Sequence, residues 1–253
     1  MKKQLTLFIF VALLFAGCTT DTTTDNFVGG DGVTTITVTT PVTRTSLGEK
    51  EGDTYPVLWS EGDRIVINGI ASEEAIIDAS NKSVATFTVT ASEPYKIVYP
   101  YTEGLAAEKV LFPTEQSYAE GTFASGSAPM CGYVASKSDN VELKHLAGVL
   151  RFPVKASTSG VVLKKVVITS TEGVKLSGEF DVDCANATVV AGTNSTNHIT
   201  YTQPENFTLS TTNESVFYIT LPAVATGNCS IEFVDASGEK MVRTMSNRDI
   251  TAG

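Results

Sequence analysis

Few residues in this chain are of a type and spacing that could do chemistry. Its two histidines stand apart: His145 lies in LKHLAGVL, just ahead of an apolar run, and His198 follows the Asn/Thr-rich TNSTNH. A zinc site needs His or Cys ligands at close spacing, and neither a CxxC pair nor an HExxH helix occurs. Cys131, Cys184 and Cys229 are widely separated and odd in number. They suit buried thiols or one disulfide better than a disulfide framework. Asp181-Val-Asp183 comes nearest to a calcium loop, but it lacks the Gly and closing Glu of an EF-hand, so it reads as a strand-end turn. Glu73-Glu74 sits in a polar segment and reads as a solvated face. With no GxSxG elbow, Walker loop or dinucleotide fingerprint, no catalytic residue, metal ligand or cofactor is assigned. An enzyme is the least expected class.

Two other positions carry more information. Residues 1–17 open with Lys2 and Lys3, continue as an apolar run from Leu5 to Phe15 broken only by Thr6, and end in Ala16-Gly17 before Cys18. This is the pattern of a secretory signal peptide, too short and wrongly flanked for a membrane span. Its ending, LFAGC, resembles the bacterial lipobox, with Phe15 where Leu is usual. Cys18 is therefore the expected lipidation site and mature N-terminus, and acyl chains at roughly 0.8 kcal/mol per buried methylene would anchor it. Arg44 is the second position. It stands alone in TRTSL, between a polar leader and a continuous run of β-like sequence, which makes Arg44-Thr45 a candidate processing site.

Charge narrows the partners. The chain has 18 basic and 28 acidic residues. Without Lys2 and Lys3 the balance is 16 against 28, a net charge of −12. An acidic chain lacking a Lys/Arg cluster is a poor partner for nucleic acid or for anionic lipid headgroups. Attachment to a membrane would come through the lipid on Cys18.

The elements that must position these residues are β-strands. Residues 18–32 are polar and Gly-rich and bury too little to offset their ordering entropy, so they read as a tether. VTTITVTT (33–40) alternates apolar and Thr, as a half-buried strand does. After Trp59 and the Gly62-Asp63 turn, Ile65 and Ile67 share one face. Alternation returns at 84–90, 95–101, 109–113, 148–154, 161–169, 215–221, 229–235 and 239–245. This spacing predicts an all-β sandwich architecture. Two short helices, at 72–77 and 104–110, are also expected. Length favours two domains, and the polar ASTSG at 156–160 suggests domains at 33–156 and 157–253.

A set of short motifs then falls in order: TRTSL, WSEGDRI, VATF, YKIVYPY, LFPTEQ, APMCGY, HLAGVLRFPV, LKKVVI, SGEFDVD, FYITLPA and IEFVDASGEKM. Behind a lipobox, this ordered set resembles the fimbrillin family of surface lipoproteins from Gram-negative anaerobes, over nearly all of the chain after Thr43. The resemblance implies two transthyretin-like β-sandwich domains, mostly antiparallel, an outer-membrane or cell-surface location, and assembly into fimbriae. It also implies cleavage by an Arg-specific protease, with Arg44-Thr45 in the matching place. The cut would remove VTTITVTT and open a groove for a strand of another subunit, the β-strand addition mode of binding. The family usually continues beyond an ending like DITAG with a final apolar strand. A chain ending at Gly253 is therefore expected to accept a strand rather than to polymerise alone.

Two other classes stand beside this expectation. One is a monomeric outer-membrane lipoprotein that binds glycans or a host protein, with Tyr55, Tyr99, Tyr101 or Tyr118 as stacking platforms. The other is an enzyme built from scattered residues. A cluster of exposed aromatics in a concave patch would favour the binding module, and a removable first strand over a long groove would favour the fimbrial subunit.

Overall fold

The computed structural model describes residues 33–39, 58–136 and 140–252. Among them every regular element is a strand. In chain order these are β1 (Val33–Thr39), β2 (Val66–Ile67), β3 (Ile70–Ala71), β4 (Ile76–Ile77), β5 (Val84–Thr90), β6 (Tyr95–Tyr99), β7 (Lys109–Phe112), β8 (Glu115–Ser117), β9 (Met130–Val134) and β10 (Asn140–Glu142). There follow β11 (Lys144–His145), β12 (Ala147–Val154), β13 (Leu163–Ser170), β14 (Ser177–Asp183), β15 (Thr188–Thr196), β16 (His198–Thr202), β17 (Ser215–Pro222), β18 (Cys229–Asp235) and β19 (Lys240–Met245).

The strands build five sheets, ordered β10-β1-β5-β4, β11-β9-β6-β2-β3, β12-β17, β19-β18-β13-β16-β8 and β15-β14-β7. All pairings are antiparallel except β1 with β10 and β16 with β8. The protein is thus all-β, as its Thr/Val/Ile alternation predicts.

Three apolar cores follow from how these faces meet. The first lies between the sheets containing β1 and β6 and holds Ile36, Val38, Trp59, Ile67, Phe87 and Tyr99. The second lies between β12-β17 and the sheet of β13, with Leu163, Ile168, Tyr201 and Phe217 at its centre. The third joins Val98 and Cys131, on the opposite face of β6 and β9, to Phe112, Phe180 and Cys184. From Ile97 to Tyr99, β6 is accordingly buried on both faces. Tyr95, Ile97 and Tyr99 point into the first core or against it, and Val98 points into the third. This explains why the alternation expected over 95–101 gives way to three consecutive buried residues at Ile97, Val98 and Tyr99.

Neither expected helix forms. Ile76 and Ile77 pair with Thr86 and Ala85 of β5, as β-branched residues beside a free strand edge do. Residues 103–108 make turns that lead into β7. The strand β12 precedes the polar ASTSG and pairs with β17 along its whole length, from Ala147↔Pro222 to Val154↔Ser215. From the other direction, β8 reaches into the sheet of β13 and β16. There Gln116 is buried and holds Thr220 through a side-chain donor to its carbonyl at 2.8 Å and an acceptor for its amide at 3.0 Å.

Candidate functional site

The seat of β1 is the most developed feature of the first core. β1 is an internal strand. It pairs antiparallel with β5 over seven residues, from Val33↔Thr90 to Thr39↔Val84, and in parallel with β10 from Thr37↔Asn140 to Thr39↔Glu142. Its alternation turns Thr34, Ile36 and Val38 inward and leaves Thr35 exposed. Ile36 stands opposite Phe87, and Val38 stands between Ala85 and Val141. Burying Ile36 and Val38 contributes about 1.5–3 kcal/mol each. The polar inward residue is satisfied too, since the Thr34 hydroxyl donates to the Ala91 carbonyl at 3.2 Å. At the far end the Leu143 amide donates to the Thr39 carbonyl at 3.2 Å.

Under this strand lies an aromatic floor. Trp59 meets Phe87 and Tyr99 edge-on, each with ring centroids 5.1 Å apart. Its backbone amide donates to the Lys82 carbonyl at 2.8 Å, but its buried indole N–H has no hydrogen-bond partner among the described residues. The chain therefore holds Trp59 for packing, against a cost of about 1–3 kcal/mol for the unpaired donor. At the rim the Tyr99 hydroxyl donates to Asp63 Oδ1 at 3.0 Å, and the Ser60 amide donates to Asp63 Oδ2 at 2.8 Å. Burial raises the Asp63 carboxyl above its usual range, although both hydrogen bonds pull it back. Burial likewise pushes the Tyr99 phenol up, with the Asp63 charge adding to it.

A second gap opens in the C-terminal half. β12 pairs on one side with β17, β19 pairs on one side with β18, and between their outer edges runs a groove of about 450 Å³. Val154, Leu163, Leu209, Phe233 and Met241 form its apolar floor. The cause is a mismatch in width, because a sheet of two strands faces a sheet of five. Met241, opposite Phe233 on the neighbouring strand, stays 44% exposed. Lys155, Lys240, Arg243, Asp235 and Glu239 line the rim with charge of both signs.

Cys18, Arg44 and Thr45, the lipidation and processing residues expected from sequence, lie outside the described residues, as does Tyr55. The other three tyrosines do not form a stacking patch. Tyr99 is buried in the first core, Tyr101 lies under the Arg64 guanidinium at 4.5 Å, and Tyr118 packs against Phe207 and Phe217. Asp183 accepts from the amides of Ala185 and Asn186, as a strand-end turn requires, while Asp181 pairs with Lys109 at 2.6 Å. Among the described residues no group of three or more His, Cys, Asp or Glu is placed to hold a metal ion. No described helix is long and apolar enough to cross a membrane.

The double-sided pairing of β1 could not be read from the sequence, because its second partner, β10, is only Asn140-Val141-Glu142. The one local signal is Val141 in the alternation NVEL, which resembles many loops.

No protein-family model matches the chain, and no curated protein matches it in sequence. Among solved structures it is similar to the crystal structure of a "putative cell adhesion protein" from Bacteroides ovatus. The two share 11% sequence identity over 87% of this chain and 89% of that one, with a TM-score of 0.50. At that identity the likeness speaks for the fold, which is shared across most of both chains.

Proposed function

We propose that this chain is a surface lipoprotein that serves as a structural and adhesive fimbrial subunit. It is anchored through Cys18 and matured by cleavage between Arg44 and Thr45, and it assembles when a strand of another subunit takes the place of β1. The observation that carries this reading is the position of β1. It lies N-terminal to Arg44, so one cut would separate it covalently from the body, yet it sits inside a sheet with partners on both sides. Its loss would leave two unpaired edges and the places of Ile36 and Val38 open to water. A donor strand with the same alternation could pair with β5 and β10 at once. Similarity of fold to a protein described as a putative cell adhesion protein is in keeping with a role at the cell surface.

A second reading, a monomeric surface lipoprotein that binds a glycan or host protein, is favoured by the open groove between β12 and β19. One experiment separates the two. The chain from Cys18 onward is treated with an Arg-specific protease, and the new N-terminus is sequenced while the oligomeric state is followed. The fimbrial reading expects a cut yielding Thr45, a body that stays folded, and either heat-labile oligomers or capture of an added peptide carrying VTTITVTT. Resistance at Arg44 in a chain that remains monomeric would transfer the argument to the binding lipoprotein.

A further inference from the structure

Two thiols from distant parts of the chain meet in the third core. Cys131 lies on β9 opposite Val98 of β6, fully buried at 0% exposure. Cys184 follows β14 directly and is 5% exposed. Its thiol donates to the carbonyl of Ile97, the residue before Val98, at 3.7 Å. The two thiols therefore approach the same point of β6 from two different sheets, and both lie in the third core. Cys229 belongs to the second core, where its thiol faces the carbonyls of Thr226 and Gly227, each at 3.7 Å.

We propose that Cys131 and Cys184 are the two halves of a disulfide that closes when the chain meets a disulfide oxidant, and that Cys229 remains a thiol. The inference rests on the surface reading above in one respect only, because export is what brings the chain to such an oxidant. A thiol is a weak hydrogen-bond donor, so contact between two buried thiols gives little stability while they are reduced. Joined, they would tie β9 of the first half to the end of β14 across 53 positions of chain (131 to 184). Closing so long a loop restricts the unfolded chain strongly.

The roles within the pair are unequal. Hydrogen bonding to Cys184, with burial added, pushes the Cys131 thiol up, whereas the same bond pulls Cys184 down. Cys184 is also the less buried of the two. Once β6, β9 and β14 have come together, it is therefore the readier of the two to attack. Its thiolate displaces one thiolate from a small disulfide such as glutathione disulfide, forming a mixed disulfide. Cys131 then gives its proton to the departing thiolate and attacks the Cys184 sulfur, releasing the second glutathione. Two protein thiols are oxidised, one glutathione disulfide becomes two thiols, and the protein loses two hydrogens.

Because both sulfurs are nearly covered in the folded chain, the test starts from unfolded protein. The purified full-length chain is reduced, unfolded and refolded in a glutathione buffer rich in the disulfide form, then alkylated and mapped by peptide mass. The expected product carries a single Cys131–Cys184 link with Cys229 alkylated, and it melts on the order of 10 °C above the reduced protein. Cys229→Ser retains the link and the thermal gain, whereas Cys184→Ser folds but loses both. Alkylation of both Cys131 and Cys184 after oxidation would overturn the proposal. So would a dominant link through Cys18 or Cys229. The experiment needs no cell, so a chain that fails to be exported, which signal-peptide cleavage reports separately, leaves its result intact.

Discussion

The seat of β1 and the groove between β12 and β19 are both gaps between two strand edges over an apolar floor, and they are guarded in opposite ways. The edges of the C-terminal groove carry the residues that keep free strands from pairing. Arg151 and Pro153 lie on β12, and Pro153 has no amide hydrogen to offer. On β19, Lys240 and Arg243 stand in the strand itself, with Lys240 held to Glu232 at 3.0 Å. Charge and proline on an edge discourage the addition of a further strand. The edges around β1 have almost none of this. β5 reads VATFTVT without a single charge, and β10 reads NVE with one. The first gap is built to stay filled, and the second tolerates water.

The largest expected effect tests whether the seat depends on its occupant. Val38→Asp places a carboxylate between Ala85 and Val141, at a position with 0% exposure in an apolar core. The expected loss is at least about 4 kcal/mol by urea unfolding, enough to unseat β1. A loss under about 1 kcal/mol would mean that β1 contributes little to the first core, and the contrast between a filled and an open gap would disappear.

A smaller effect sharpens the contrast through pH. Burial raises the Asp63 carboxyl in the folded chain, so its contribution to stability is full below the unfolded value of 3.8 and is lost as pH rises through the folded value. Asp63→Asn removes that loss. At acid pH the variant and the parent both carry a neutral side chain there, and their stabilities should be close. From pH 4 upward the variant should gain on the parent. Asp78, Asp183 and Asp235, whose carboxyls are lowered by hydrogen bonds from Ser80, Asn186 and Ser237, act in the opposite sense, but they are shared and cancel in the difference. Denaturation of both proteins across pH 3 to 7 checks this. A difference that shrinks with rising pH would show that Asp63 is not held in a dry site at the rim of the aromatic floor.

The contrast also marks what could be read in advance. β1, β5 and β18 were legible almost to the residue, because each faces one core and alternates accordingly: 33–40, 84–90 and 229–235 against Val33–Thr39, Val84–Thr90 and Cys229–Asp235. β15 was not legible. Its TVVAGTNST turns mostly outward, so no apolar period survives. β8 and β10, of three residues each, are strands only because a distant partner makes them so. The pairing of Gln116 with Thr220 spans 104 positions and leaves no local trace. The inward residues of the seat were visible in VTTITVTT, but that β1 lies inside a sheet depends on β10. Nor could spacing bring Cys131 to Cys184, since they meet through two sheets that share no strand.

The smallest expected effect bears on the open groove. Met241 faces the same side of its sheet as Phe233, yet it remains 44% exposed because the two-stranded sheet opposite ends short of it. Val242, on the other face, is 52% exposed. If this groove stands open to water, Met241→Lys removes little buried surface and adds a charge to an edge that already carries Lys240 and Arg243. The expected change in stability is within about 0.5 kcal/mol, with no change in oligomeric state. A loss above about 2 kcal/mol, or dissociation of an assembly, would mean that something covers Met241 in solution. The two gaps would then be alike, both filled, and charge on an edge would no longer distinguish a permanent opening from a seat awaiting its strand.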